Sequence, residues 1–350
     1  IVNVRPPRAP YPPRGFFVCE TQPIFDTWQP HLASRKLADQ RHARRPCLLL
    51  DSTKLRYDVG PRESRLFYHK KKVVGGVFRR VCPNKNGVKW VDGVVCKEVN
   101  YKKSARLDDP GKLDLVGYTA GSRSKSKFDW SINNVGPARS PDAIRTSDED
   151  CSAAFAFLWN MCRQRLPPEV IKDFDDFLRS NNMRRMDGHG TMVPDGTAIH
   201  GHGTYTIRLP DGEELTFHDV ELAPPSGAIG YNYSRAIHTE RQPIPWAFSW
   251  TTSRRDNKGT LSGGSFFMSK YGIRIAGAAN SLIFWNPQEP HGTGLQDYDP
   301  GDGNPGFFQA GLCAFVPNRL PKVWKQYRDN ELTHAQAMQE LEKDADDSIE

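Results

Sequence analysis

The sequence has no run of about 18 consecutive apolar residues, which is the length that a transmembrane helix needs. It also has no Cys-x-x-Cys pair, because its seven cysteines are scattered along the chain. Zinc ribbons and disulfide frameworks both need cysteines at short or regular spacing, and an odd number leaves at least one unpaired. We therefore expect no membrane span, no zinc ribbon and reduced thiols.

Positive charge is scarce in one part of the chain and abundant in the other. Residues 1–150 contain 29 Lys and Arg against 16 Asp and Glu, whereas residues 151–350 contain 19 against 25. The basic clusters of the first part include aromatic residues, as in "RLFYHKKK" and "NYKKSAR". Cationic and aromatic side chains together suit phosphates and bases, so this pattern favours a nucleic-acid partner over a merely solubilising surface.

The 350 residues, of which 37% are apolar, can form one large domain or two modest ones. Short β-like runs occupy residues 46–101, with "VKWVDGVVCKEV" interpreted as strands around an Asp-Gly turn. The polar stretch 102–145 is interpreted as a long loop or linker. We accordingly predict a basic N-terminal region, 1–145, that packs on the core and contacts nucleic acid.

Residues 146–330 are predicted to form the core domain. A helix capped by Ser147 and a second helix over 169–181 come first. A hairpin with its turn at Asp211-Gly212 follows, and then many short strands separated by Gly, Pro and Asn. This succession is typical of a jelly roll, so the predicted class is α+β with flanking helices. An acidic helix or tail is predicted over 331–350.

The stretch "RAIHTE" carries the candidate chemistry. Side chains two residues apart on a strand point the same way, so His238 and Glu240 are predicted to share a face. His291, on a later strand, can complete a set of two histidines and one carboxylate, which leaves three iron positions open. A buried His–Glu pair can also be purely structural, and a mononuclear zinc hydrolase can use the same ligands. The same alternation places Asn232, Ser234 and Ala236 on the face of His238, and Tyr233, Arg235 and Ile237 on the other.

Residues 218–325 resemble the double-stranded β-helix (jelly-roll, cupin-like) core of Fe(II)/2-oxoglutarate dioxygenases. The stretches "GAIGYNYSRAIHTE", "GGSFFMSKYGIRI" and "LIFWNPQEPHGTGL" are similar to the TET/JBP-like group that mushroom-forming fungi carry in many copies. The resemblance implies Fe(II) held by His238, Glu240 and His291, with 2-oxoglutarate as cosubstrate. It also implies oxidation of methyl groups on DNA bases, 5-methylcytosine or in some members N6-methyladenine, by base flipping and ferryl hydrogen abstraction. A nuclear, monomeric protein that acts on methylated duplex DNA is the corresponding expectation.

Two positions depart from the family pattern. Glu240 stands where the family usually has Asp, and no Arg occurs between His291 and Arg319, where the family places its cosubstrate anchor. Ala310 lies near the expected place of that anchor. Arg319 and Arg254 are the leading candidates to pair with the cosubstrate carboxylate, Arg274 is third, and Asn232 is a further cosubstrate contact.

Several polar and aromatic residues are candidate substrate contacts. The loop after His291 offers carboxylates that can accept from a base amino group. A solvated turn is the alternative for this loop, and four histidines around residue 200 could hold a second metal or belong to a mobile loop. Two other functions stay open: a small-molecule hydroxylase on the same scaffold and a catalytically weak DNA-binding homologue. The candidate substrate contacts are Asp297, Asp302, Tyr231, Asp299, Tyr233, Trp246 and Trp285, and the histidines are His189, His200, His202 and His218.

Overall fold

The computed structural model describes residues 1–38, 43–121, 126–131, 139–190, 201–256, 259–303, 305–329 and 331. No helix within these ranges is both long and apolar enough to cross a membrane. The helices are α1 (Gln22–Ser34), α2 (Lys85–Tyr101), α3 (Pro141–Arg165), α4 (Pro168–Ser180) and α5 (Leu320–Arg328). The acidic tail predicted for 331–350 falls outside the described residues except for Glu331.

The strands fall into two principal sheets and two short pairs. Those of the first part of the chain are β1 (Val2–Asn3), β2 (Phe17–Cys19), β3 (Cys47–Leu49), β4 (Tyr57–Val59), β5 (Arg65–His69), β6 (Lys72–Arg79), β7 (Lys112–Gly121) and β8 (Ser126–Trp130). Those of the second part are β9 (His202–Arg208), β10 (Glu214–Glu221), β11 (Ser226–Tyr231), β12 (Arg235–His238), β13 (Ala247–Arg255), β14 (Phe266–Met268), β15 (Ile273–Ile275), β16 (Ser281–Trp285), β17 (His291–Thr293) and β18 (Phe308–Phe315).

Eight strands of the second part form a double-stranded β-helix. The larger sheet has the order β16-β13-β18-β11 at its centre, and the smaller sheet has the order β12-β17-β14-β15. All pairings among these eight strands are antiparallel, and the chain alternates between the two sheets except at β14 and β15, which pair with each other in the smaller sheet. This is the strand arrangement of a jelly roll, so the predicted α+β class with a jelly-roll core is confirmed.

The first part of the chain extends both sheets. β6, β5 and β1 continue the larger sheet beyond β16, β7 and β8 continue it beyond β11, and β4 pairs with β15 in the smaller sheet. The interpretation of 102–145 as loop or linker is therefore wrong for β7 and β8. β7 pairs with β11 on one side and with β8 on the other, so both strands share their backbone hydrogen bonds with a neighbour.

The prediction of strands within 85–101 is also wrong, because these residues form α2. The Asn84 side chain accepts a hydrogen bond from the Gly87 amide at 3.0 Å and caps the helix. Valine and tryptophan are common in strands, but here they recur at helical spacing and bury one face. The Asp92-Gly93 pair lies inside the helix, and Asp92 accepts a hydrogen bond from the Thr252 hydroxyl at 2.7 Å. The buried face consists of Trp90, Val91, Val94, Val95 and Val99.

α3 and α4 follow the prediction more closely. α4 coincides with the helix predicted over 169–181 and buries Val170, Phe174 and Leu178. α3 begins seven residues earlier than predicted, because the cap is Ser140 and not Ser147: the Ser140 side chain accepts a hydrogen bond from the Ala143 amide. Helix and sheet meet closely at Gly227, where a Cβ atom would lie 2.2 Å from Phe155.

The inner face of the larger sheet carries small side chains. Across β11, β18 and β13, Ala228 pairs with Cys313, which in turn pairs with Ser249. Two residues further along these strands, Gly230 pairs with Gly311, which pairs with Thr251. Ser249, Thr251 and Cys313 are only half-buried although they point between the two sheets. Beside them, Ile283 and Trp285 of the larger sheet pack against Phe266 and Met268 of the smaller sheet, so this part of the barrel interior is a packed core.

Candidate metal centre

His238, Glu240 and His291 come together at one end of the smaller sheet. β12 and β17 pair so that His238 lies opposite His291, and the two ring centroids are 4.4 Å apart. Glu240 follows β12, and its backbone N–H donates to the Pro287 carbonyl oxygen at 2.8 Å. One ligand atom from each of the three residues lies within 4.8 Å of the other two. Among the described residues, no other group of three histidine, cysteine or carboxylate side chains does this.

The hydrogen bonds of the two histidines determine which ring nitrogen is free. His238 Nδ1 lies 2.9 Å from the Ala236 carbonyl oxygen, and His291 Nδ1 lies 2.9 Å from the Glu289 carbonyl oxygen. A carbonyl only accepts, so each Nδ1 carries the proton and each Nε2 keeps its lone pair. His238 Nε2 is buried without a hydrogen-bond partner, 3.3 Å from Glu240 Oε1. Backbone carbonyls commonly orient metal-binding histidines in this way.

The protonation states also suit a metal. Burial lowers the pKa of His291 to about 3, with a further contribution from His238, and burial lowers the pKa of His238 as well. Burial alone would raise the pKa of Glu240, but the positive charge of Arg235 acts in the opposite direction, and this pKa lies well below its usual range. At neutral pH the site therefore has two neutral imidazoles and one carboxylate.

Aromatic rings close one side of this group. The Trp285 ring centroid lies 5.5 Å from that of His291, and Phe266 lies 6.0 Å from it. Both rings are more than nine-tenths buried. Glu240 is 35% exposed, so the opposite side of the group remains accessible.

Two arginines lie beside Glu240, and the sequence assigned neither of them to the site. Arg235 Nη2 lies 3.9 Å and Arg106 Nη2 lies 4.0 Å from Glu240 Oε1. Strict alternation placed Arg235 on the opposite face from His238, which is wrong here because the register of β12 and β17 shifts between Arg235 and His238. Arg106 belongs to the basic cluster "NYKKSAR". It is far from Glu240 in the sequence, so no local pattern indicated that the two side chains would approach each other.

The predicted cosubstrate contacts lie elsewhere in the fold. Arg319 donates to the Gly121 carbonyl and to Ser126, beside the hairpin of β7 and β8. Arg274 pairs with Glu20 and Asp58. Asn232 is buried. Its side-chain amide donates a hydrogen bond to the Phe307 carbonyl oxygen and accepts one from the Gln309 backbone N–H.

Arg254, another predicted anchor, lies on β13 of the larger sheet. It is at the far end of β13 and donates to Gln309, Asp256 and the Gly263 carbonyl. On β13, Ala247 lies at the level of the histidines, because it pairs with Trp285, whose ring lies beside His291. Seven residues separate it from Arg254, or roughly 20 Å along the strand. The guanidinium thus occupies the end of the barrel opposite the histidines.

The predicted substrate contacts occupy several places. Asp297, Asp299 and Asp302 lie in the connection between β17 and β18, and Tyr231 stacks on Phe308 with ring centroids 6.2 Å apart. The remaining predicted contacts are Tyr233, which donates to Asp109 at 2.8 Å, Trp246, which donates to Asp173 at 2.8 Å, and Trp285 beside His291. Only Trp285 among them has a ring contact with a member of the triad.

The other histidines do not form a second metal group within the described residues. His202 Nδ1 lies 3.0 Å from Asp219, and His218 Nδ1 lies 3.3 Å from the Thr204 hydroxyl, both across the hairpin of β9 and β10. His189 precedes that hairpin, and His200 lies outside the described residues.

No protein-family model and no curated protein matches the sequence. Among solved structures, the chain is similar to NgTET1 in complex with 5mC DNA at 11% identity and a TM-score of 0.42, covering 74% of this chain and 78% of that one. It is also similar to IDO from Bacillus thuringiensis, at 9% identity and a TM-score of 0.31 over 69% and 92% of the two chains. A Pseudomonas putida prolyl-4-hydroxylase gives 10% identity and a TM-score of 0.30 over the same shares. These likenesses concern the fold, which the strand order already defines.

The three side chains fit a divalent iron. Two imidazole nitrogens with free lone pairs and one ionised carboxylate are the ligand set that mononuclear iron enzymes use, and they leave coordination positions open. The buried Nε2 of His238, which has no hydrogen-bond partner, is the observation that a bound metal best explains.

Proposed function

We propose that this chain is an Fe(II)/2-oxoglutarate-dependent dioxygenase that oxidises methyl groups on DNA bases. The observation that carries the proposal is the group of His238, Glu240 and His291, with both Nε2 atoms free, at the end of a double-stranded β-helix. The small, half-buried side chains of Ser249, Thr251 and Cys313 on the barrel face of the larger sheet would leave space for the cosubstrate. Iron is favoured over zinc because the structure shows no evident general base beside the triad in the described residues.

The three ligands would hold iron from one side. When bound, iron with 2-oxoglutarate supplies the oxidising power for hydroxylating a C–H bond. Overall, dioxygen gives one oxygen atom to the methyl group and one to succinate, and 2-oxoglutarate loses carbon dioxide. The chain's part is to orient both imidazoles through the Ala236 and Glu289 carbonyls and to exclude water with Trp285 and Phe266.

The choice of DNA as substrate rests on charge. The first 150 residues carry the excess of Lys and Arg, and strands from this region extend both sheets of the barrel. Arg106, from the same region, reaches within 4.0 Å of Glu240. This arginine lies near the accessible side of the candidate metal centre, where the phosphates next to a flipped base would lie. A nuclear location forms part of this proposal.

Methylated duplex DNA incubated with the protein, iron(II) and 2-oxoglutarate is expected to yield succinate and an oxidised base, measured by mass spectrometry. His238→Ala should abolish both products, because it removes one of the three ligands of the group. Turnover of His238→Ala at the rate of the unaltered protein would refute the metal assignment. Succinate formed with small-molecule substrates but never with DNA would instead favour a small-molecule hydroxylase.

DNA affinity is expected to fall steeply with salt. Each phosphate contact made by Lys or Arg contributes a slope of about −0.9 to the plot of log affinity against log salt concentration. Several contacts from the basic region would therefore give a slope of several units, which fluorescence anisotropy with a labelled duplex can measure. An absence of duplex binding at low salt would exclude DNA as the substrate while leaving the metal centre intact.

A further inference from the structure

Cys19 and Cys47 lie on the two paired strands β2 and β3. All seven cysteines of the chain are free thiols, and these two belong to one cluster of apolar side chains, which includes Trp28. β2 and β3 are parallel, and their register places Phe17 opposite Cys47. Cys19 follows Phe17 by two residues, so its side chain lies on the same face of the pair as that of Cys47. The two thiols are therefore diagonal neighbours on one face.

The two thiols are hydrogen-bonded to each other, but their surroundings differ. Cys19 is fully buried, whereas Cys47 is only half-buried. The hydrogen bond with Cys47 and burial together raise the pKa of Cys19. The same hydrogen bond, donated by Cys19, lowers the pKa of Cys47, although burial acts in the opposite direction. Cys47 is thus the thiol that ionises first, and the thiolate is the form that reacts with an oxidant.

A disulfide between these thiols requires β2 and β3 to move. Diagonal neighbours on parallel strands have Cα atoms roughly 8 Å apart, since the strand spacing is about 4.8 Å and the rise is about 3.3 Å per residue. Disulfides usually join Cα atoms about 4.4–6.8 Å apart, and a wider pair closes only if the backbone shifts. An S–S bond would therefore pull Cys19 on β2 and Cys47 on β3 towards each other.

β2 is hydrogen-bonded to the strand that carries His238. The Ile237 N–H donates to the Phe16 carbonyl oxygen at 2.9 Å, and the Gly15 N–H donates to the Ile237 carbonyl oxygen at 2.7 Å. Ile237 directly precedes His238, which supplies one ligand atom of the candidate metal centre. A shift of β2 at Cys19 would therefore reach His238 through these two hydrogen bonds.

We propose that Cys19 and Cys47 form a peroxide-sensitive dithiol whose disulfide weakens metal binding at the candidate centre. A peroxide oxidises the Cys47 thiolate to a sulfenic acid: the sulfur bonds one oxygen, the O–O bond breaks, and the other oxygen leaves as hydroxide and takes up the proton that Cys47 released. The Cys19 sulfur then bonds the Cys47 sulfur, the S–O bond breaks, and water leaves with the Cys19 proton. Overall, the two thiols give two protons and two electrons to the peroxide, and a dithiol reductant reverses the change. The disulfide itself does not depend on the proposed function, whereas its effect on the metal does.

The test treats the full chain, without metal, with hydrogen peroxide and removes the oxidant before any measurement. Alkylation and proteolysis followed by mass spectrometry are expected to show peptides linked through Cys19 and Cys47, and the link should disappear after reduction. Titration with cobalt(II), followed by visible absorption, is expected to show an affinity about tenfold or more below that of the reduced protein, as for other disturbances around a metal ligand.

Two variants separate the roles of the thiols. Cys47→Ser should give no linked peptides and should keep its cobalt affinity after peroxide treatment. Cys19→Ala should stop at the Cys47 sulfenic acid, which dimedone traps as a stable adduct. Cys96→Ser is the matched control, because Cys96 on α2 is likewise half-buried, while burial and Asp92 raise its pKa to about 11. It should form the disulfide as the unaltered protein does.

Three outcomes would overturn the proposal. Recovery of both cysteines in alkylated form after peroxide treatment would mean that their hydrogen bond is purely structural. An unchanged cobalt affinity in the linked protein would show that β2 does not act on the metal centre. An equal loss of affinity in peroxide-treated Cys47→Ser would place the oxidation responsible elsewhere in the chain. Failure of the reduced protein to bind cobalt would count against the proposed function alone, since the linked peptides are measured without metal.

Discussion

Glu240→Gln is expected to weaken divalent-metal binding by more than about a hundredfold, since losing even an outer partner of a metal ligand costs 10–100-fold. Glutamine has nearly the same shape but no charge. The variant therefore leaves Arg106 and Arg235, both about 4 Å from the replaced oxygen, facing an incoming cation without compensation. Titration with cobalt(II), followed by visible absorption, measures the effect.

Glu240→Asp is the matched control for that experiment. It keeps the charge and shortens the side chain by one methylene, to the residue that the TET/JBP-like family usually has at this position. Metal binding is expected to survive in it, although the carboxylate must reach the metal from a backbone that is tied to the Pro287 carbonyl. Glu240→Gln that binds cobalt as tightly as the unaltered protein would show that Glu240 is not a ligand.

The metal group could be predicted from the sequence because its evidence is local. His238 and Glu240 are two residues apart, and the strands that carry the group are separated by Gly, Pro and Asn turns that the sequence displays. The structure brings the predicted triad together. The jelly-roll core and α4 were predictable for the same reason, since a regular spacing of apolar residues along the sequence identifies each strand and the helix.

The surroundings of the metal group depend on contacts that no local pattern encodes. Arg235 reaches Glu240 through a register shift, which reverses the face that alternation assigns to it. Arg106 comes from a segment that the sequence presented as a linker, and the pairing of β7 with β11 helps to bring that segment to the barrel. α2 was mistaken for strands because its valines suit both structures, and its burial against the sheet decides between them.

The largest stability effect is expected at Asp114, a fully buried residue on β7 far from any role in the proposed reaction. Neither of its carboxylate oxygens has a hydrogen-bond partner. Burial raises its pKa to about 7 although Lys102 and Lys112 act in the opposite direction. The folded protein therefore keeps this proton at pH values where the unfolded chain has already lost it.

The sign of the pH dependence follows from that difference. Because the folded state holds more protons between about pH 4 and pH 7, Asp114 lowers the free energy of unfolding progressively as the pH rises through this window, with a total of up to about 4 kcal/mol above it. Asp114→Asn cannot ionise and should escape this loss. Urea unfolding at pH 5, 6, 7 and 8 should show that the free energy of unfolding of Asp114→Asn exceeds that of the unaltered protein by an amount that grows to pH 7 and then levels off.

Asp142→Asn is the control, because the Asp142 side chain on α3 is 82% exposed, and it should show no such trend. A constant difference across all four pH values would mean that Asp114 is already ionised in the folded protein at pH 5, with its charge balanced by Lys102.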